Sequence, residues 1–138
     1  MKVSTSYAGG MRFASGEGAG RVVMDALPEA GGKGEALTPK QMVLVGLAGC
    51  TGMDVASMLE RQKIPFGELH VDVEADQTGT HPKVFKSIRI VYRIEASAAH
   101  RAKVERAIEL SRMRYCGVSA MLARTAEIED ALELIPPR

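Results

Sequence analysis

Two residues of this 138-residue chain, Cys50 and Cys116, can act as thiol nucleophiles. Their settings differ. Cys50 is flanked by Gly49, Thr51 and Gly52 inside a long apolar run, whereas Cys116 stands at a break ahead of Gly117-Val118-Ser119. A helix beginning just after Cys116 would aim backbone N–H groups and a positive dipole at its sulfur, which lowers a thiol pKa. A thiolate made this way attacks electrophilic oxygen or sulfur, and two such groups can close to a disulfide. The opposite reading is two inert core thiols, since free cysteine is among the most buried residue types. The two lie 66 positions apart with nothing local to join them, so both readings stay open on spacing alone.

Charged neighbours would tune such a thiol. Asp54 lies one helical turn beyond Cys50 on the same face. A carboxylate there raises a thiol pKa, so Asp54 suits binding a cation or capping a backbone group, not activation. The cations available to a thiolate are Arg12, Arg21, Arg112 and Arg114, among which the sequence does not choose.

Other chemistries lack their residues. There is no Cys-x-x-Cys, and His70, His81 and His100 have no finger-like spacing, so no metal is expected. Gly16, Gly18 and Gly20 form no dinucleotide-binding fingerprint, Walker spacing is absent, and no Ser-His-Asp set stands out. A net charge of +1 leaves no footprint for nucleic acid or an anionic membrane. No run of about 18 apolar residues is seen, so no bilayer span is expected. The N-terminus carries no secretory h-region. A reducing cytoplasm is the expected location, where structural disulfides rarely persist.

The elements that must position the thiols follow from periodicity. Residues 3–7, 11–14 and 21–25 read as a meander of short strands broken at Gly9-Gly10 and around Gly18. A flexible loop runs from Pro28 to Glu35. Thr38 caps and Pro39 opens a helix reaching Arg61, apolar nearly all round in its first half and hence buried. Gly46, Gly49 and Gly52 within it each cost up to about 1 kcal/mol against Ala, which a helix accepts where a backbone or ligand comes close. Residues 69–75 and 84–94 alternate as an antiparallel hairpin. Residues 98–114 return to helical period, Tyr115-Cys116-Gly117 breaks it, and a short helix follows over 118–123. The tail, with Ile128, Ala131, Leu132, Leu134 and Ile135, fits neither period. The order predicts one α+β domain over residues 1–138, an antiparallel sheet with segregated helices.

The stretch Leu37-Thr38-Pro39 through Gly49-Cys50-Thr51-Gly52-Met53-Asp54 resembles the first cysteine helix of the OsmC/Ohr family, the osmotically inducible and organic-hydroperoxide-resistance proteins. Arg114-Tyr115-Cys116-Gly117-Val118-Ser119 resembles the second cysteine motif of that family, and Asp54 and Tyr115 place the chain nearer its YhfA-like branch. The resemblance spans nearly the whole chain. It implies an OsmC-like fold with a long central helix in an intertwined homodimer. It also implies a Cys-based peroxidase reducing organic hydroperoxides. Cys50 would be the peroxidatic thiol, Cys116 the resolving one, and Arg12 the activating cation, with Arg21 second. No resident cofactor is implied; the reductant would be an external dithiol of lipoyl type. Where Ohr-like members carry a Glu after the helix-opening Pro, this chain has Lys40 and then Gln41, so no carboxylate is expected to pair with the Arg. The alternative within the same fold is a dimer that binds a small hydrophobic ligand without catalysis.

Overall fold

The computed structural model describes residues Met1–Arg138 and resolves them into two compact units, Met1–Leu44 and Val45–Arg138. The class is α+β, as expected.

In the first unit, β1 (Thr5–Tyr7), β2 (Phe13–Ser15) and β3 (Val22–Met24) form an antiparallel meander in sequence order. Gly9 and Gly10 turn β1 into β2 with φ of 92° and 58°, a left-handed path that side chains resist. The loop after β3 is ordered by one buried acid, Asp25. Its carboxylate accepts the backbone N–H groups of Ala26 (2.8 Å), Lys33 (3.3 Å) and Glu35 (3.2 Å). Burial alone would raise the Asp25 pKa; the three N–H bonds, joined by Arg12, outweigh it and hold the carboxyl below its ordinary value.

Helix α1 spans Pro39–Arg61, the range read from the sequence. It opens with a reciprocal capping box: Gln41 N–H donates to Thr38 Oγ1 (3.3 Å) and Thr38 N–H to Gln41 Oε1 (2.8 Å). Burial follows one stripe, Leu47, Thr51, Val55 and Leu59, at spacing four. The expectation of burial all round is corrected for the single chain: Val43, Val45 and Met53 remain 42%, 47% and 74% exposed. The glycines also divide. A Cβ on Gly52 would meet Val71 Cγ2 at 3.3 Å, but one on Gly46 or Gly49 would meet nothing. By length and composition α1 could cross a bilayer, contrary to the expectation from uninterrupted apolar runs. Uncharged Gly, Ala and Thr carry the apolar window past its few charges, and a core helix meets the same test.

The second unit continues with β4 (Leu69–Gln77) and β5 (Phe85–Glu95), an antiparallel hairpin. Ile88, Ile90, Tyr92 and Ile94 point inward from β5 and are at most 1% exposed. Helix α2 (Arg101–Leu110) buries Val104, Ala107 and Ile108, passes into a π turn (Ser111–Tyr115), and is followed by α3 (Gly117–Leu122). The tail is a strand, β6 (Glu127–Ile135), and it runs parallel to β5. The fully antiparallel sheet is thereby corrected. A helical crossover separates β5 from β6, and such connections return the chain in the same direction. The blurred period of the tail has a cause in Asp130, a half-buried acid opposite Ile90.

Helix α1 ends in a Schellman motif, with Ile64 N–H bonded to Leu59 O (3.0 Å) and Lys63 N–H to Glu60 O (2.9 Å). Lys63 takes the left-handed position at φ 55°, which costs a non-glycine residue about 1 kcal/mol. Lys63→Gly is expected to stabilise the protein by about 0.5–1 kcal/mol, the strain relieved less the added chain entropy, measured by urea unfolding. A loss of stability would contradict this account of the cap.

Candidate functional site

Cys50 projects from α1 just before the buried Thr51, and Cys116 is the N-cap of α3 directly after the π turn. The fold brings these distant thiols near enough for the Cys116 side chain to act on the Cys50 thiol, and neither is in a disulfide. Cys116 is 2% exposed and its Sγ accepts the Ser119 N–H at 3.3 Å. The helix start expected after Cys116 exists, and its amides serve both sulfurs, since the Val118 N–H is directed at Cys50. Burial pushes the Cys50 thiol up, the Cys116 side chain and the Asp54 charge push the same way, and the Val118 N–H opposes them.

A chain of buried polar groups lies behind the pair. Ser111 Oγ donates to Asp54 Oδ2 at 2.8 Å, lies 2.9 Å from Thr51 Oγ1, and Thr51 Oγ1 lies 2.6 Å from the Tyr92 hydroxyl. A hydroxyl has one proton, so Ser111 donating to Asp54 leaves Thr51 to donate to Ser111, and Tyr92 to Thr51. Burial raises the Tyr92 pKa strongly, which keeps that phenol a donor. Thr51, Ser111 and Tyr92 are each at most 1% exposed. Sequence reasoning missed all three. A Thr beside a cysteine and a Ser at the end of a helical stripe give no distinctive signal.

The arginines separate clearly. Arg112 points to β6: Nη1 donates to Ile128 O at 2.5 Å, and Nε lies 2.9 Å from Asp130 Oδ2, off the hydrogen-bonding direction. Burial raises the Asp130 pKa and Arg112 opposes it. Arg114 lies over the Tyr115 ring at 5.7 Å. Arg21 is exposed ahead of β3. Arg12 pairs with Glu35 at 3.3 Å. The expectation that no carboxylate would pair with this arginine is therefore corrected. Gln41 closes the capping box, and the carboxylate comes from the preceding loop, where Asp25 holds the Glu35 backbone.

A groove of about 420 Å³ is lined by Asp54, Ser57, Met58, Arg61, Leu110 and Tyr115 among others, and neither cysteine lines it. A larger cavity of about 470 Å³ lies along β4, β5 and β6, is lined by Glu74, Arg89 and Glu129 among others, and includes neither cysteine. No group of three or more His, Cys, Asp or Glu side chains is arranged to hold a metal ion.

The raised Cys50 pKa has a sign that can be checked. A thiol that holds its proton to higher pH when folded contributes stability below the unfolded thiol pKa, and loses it as pH rises through the folded one. Iodoacetamide alkylation of Cys50 followed against pH should show Asp54→Asn and Cys116→Ser each lowering the midpoint. A midpoint that rises in either variant would contradict the electrostatics described.

Comparison with known proteins gives a consistent neighbourhood. A family model described as OsmC-like protein matches residues 32–129. Protein YhfA of Escherichia coli strain K12 is 26% identical over 137 residues, which cover 98% of each chain. A hypothetical protein from Aquifex aeolicus VF5 superposes with a TM-score of 0.84 at 22% identity, covering 99% of this chain and 97% of that one. An organic hydroperoxide resistance protein OsmC from Legionella pneumophila superposes with a TM-score of 0.72 at 19% identity, covering 96% and 97%.

Proposed function

The chain belongs to the OsmC family, in its YhfA-like branch, and from that premise we propose that it is a thiol-dependent peroxidase for organic hydroperoxides. The observation that carries this reading is the pair of reduced thiols, drawn together from positions far apart in the chain. In the proposed cycle the Cys50 thiolate attacks the terminal peroxide oxygen. The O–O bond breaks, the alkoxide leaves as the alcohol after taking a proton, and Cys50 becomes a sulfenic acid. Cys116 then attacks the Cys50 sulfur, the S–O bond breaks, and hydroxide leaves as water with the thiol proton. The peroxide gains two electrons and the two thiols lose them. An external dithiol, of lipoyl type, reopens the disulfide by exchange.

The setting of Cys50 favours the protonated thiol, so the reaction needs a cation in the reactive conformation. Arg12, with Glu35 as its partner, is proposed for that part, and Arg21 is the second choice. A homodimer is proposed as the working form, in a reducing compartment such as the cytoplasm. The exposed Val43, Val45 and Met53 on α1 support it, because a lone chain leaves this apolar surface in water.

One equivalent of cumene hydroperoxide should consume both thiols and yield an intramolecular Cys50–Cys116 disulfide, read by mass spectrometry. Cys50→Ser should abolish peroxide consumption. Cys116→Ser should react once and stop at a sulfenic acid that overoxidises with more peroxide. Arg12→Met should slow the reaction about 10-fold or more, since each pKa unit is about 1.4 kcal/mol. A treated wild type that keeps two free thiols, or forms only cross-links between subunits, would replace this reading with a dimer that binds an apolar ligand without catalysis.

A further inference from the structure

Ser111 is bonded to both cysteine-bearing segments at once. Its carbonyl accepts the Cys116 N–H at 2.7 Å, the bond that closes the π turn. Its hydroxyl is held between Thr51 Oγ1 (2.9 Å), the residue after Cys50, and Asp54 Oδ2 (2.8 Å), one turn further along α1. The residue is wholly buried, so water does not compete for these bonds.

The π turn gives this clip its importance. Such turns are rare single-turn departures from α geometry, carrying one residue more per turn. Relaxation to regular α-helix would rotate everything beyond it by about 100° and shift it by about 1.5 Å. Cys116 is the first residue beyond the turn, and that rotation would swing its sulfur away from Cys50. Arg112, the next residue in the turn, holds β6 through Ile128 O and Asp130, and so cannot by itself set the distance to α1. The Ser111 hydroxyl, by contrast, hydrogen-bonds the π turn directly to the Cys50 turn of α1.

We propose that Ser111 is a positioning residue for disulfide closure: its hydroxyl, anchored by Asp54 and Thr51, holds the π turn so that Cys116 is aimed at the Cys50 sulfur. In the proposed peroxidase, on which the catalytic meaning of this inference rests, the clip decides the fate of the sulfenic acid. With Cys116 in place, its sulfur displaces hydroxide from Cys50. With Cys116 displaced, a second hydroperoxide delivers its terminal oxygen to the sulfenic sulfur, which becomes a sulfinic acid as the alcohol leaves.

The test has one arm free of peroxide. Reduced and oxidised dithiothreitol are equilibrated with the protein, and the intramolecular disulfide is quantified by mass spectrometry; two thiols and the cyclic disulfide exchange for the protein disulfide and two thiols of the reagent. Ser111→Ala and Asp54→Ala should each lower the equilibrium constant for closure about 10-fold or more, the scale of losing a charge-assisted hydrogen bond. Asp54→Asn, whose amide oxygen still accepts, should lose less than Asp54→Ala. Thr51→Val, close in shape, serves if Ser111→Ala does not fold. Closure constants within twofold of wild type in both Ala variants would overturn the proposal. In the second arm, cumene hydroperoxide added to Ser111→Ala should slow disulfide formation more than loss of the first thiol, so that sulfinic acid builds up. Equal slowing of both steps would mean a general loss of structure and would also overturn it. A wild type inert to the hydroperoxide sinks the peroxidase reading alone, and the dithiothreitol arm still judges the clip.

Discussion

The hydrogen bond from Ser111 to Asp54 sets the direction of every proton in the chain behind the thiols. Once Ser111 has given its only proton to the carboxylate, Thr51 must give its own to Ser111, and Tyr92 must give its own to Thr51. Three hydroxyls from α1, β5 and the π turn are thereby satisfied in a core built mainly of Leu, Ile, Val and Ala. Each would cost about 1–3 kcal/mol if left unpaired, so shifting any of the three elements breaks bonds instead of merely loosening packing. The same residue carries the main-chain bond to Cys116, and so the accuracy of the polar core is passed to the thiol pair.

Electrostatics around the pair divide into a resting and an acting part. Burial, Asp54 and the neighbouring thiol keep Cys50 protonated, with the Val118 N–H as the opposing influence. A Cys50 thiol that holds its proton is protected from casual oxidation, because the thiolate is the reactive form. The proposed peroxidase would then need a cation to activate Cys50, the part proposed for Arg12. Asp25, buried and held ionised by three backbone N–H groups, orders the loop that brings Glu35 to Arg12. At 38% and 51% side-chain exposure the Arg12–Glu35 pair adds little to stability.

What could be read from the sequence was whatever rests on one dominant force. The range of α1 followed from Thr38-Pro39 at one end and the charges before Pro65 at the other, with continuous apolar character between them. The β4–β5 hairpin followed from strict alternation, because one face of each strand is buried. Features that depend on two side chains meeting from distant positions stayed hidden. Asp130 blurred the period of β6, since its burial makes sense only against Arg112. The Arg112 side chain looked free for the same reason. Ser111 fell inside the helical period of residues 98–114, because nothing local reveals that the chain inserts a π turn there. Glu35 as the partner of Arg12 was not legible, since the family pattern puts a carboxylate directly after Pro39, where this chain has Lys40.

The glycines of α1 carry the remaining argument. Gly52 is explained within the chain, because a Cβ there would press on Val71 at 3.3 Å. Gly46 and Gly49 are not, since a Cβ on either would enter open space, yet each weakens the helix by about 1 kcal/mol relative to Ala. They lie on the same helix as the exposed Val43, Val45 and Met53. A lone chain would gain by replacing both glycines and by making the valines polar, because helix propensity and exposure to water both favour that change. The two costs become intelligible together if another surface lies close against this stretch of α1. A second copy of the chain, as in the proposed homodimer, would cover the apolar side chains and use the space the glycines leave, and it would do so in the turns that lead directly to Cys50.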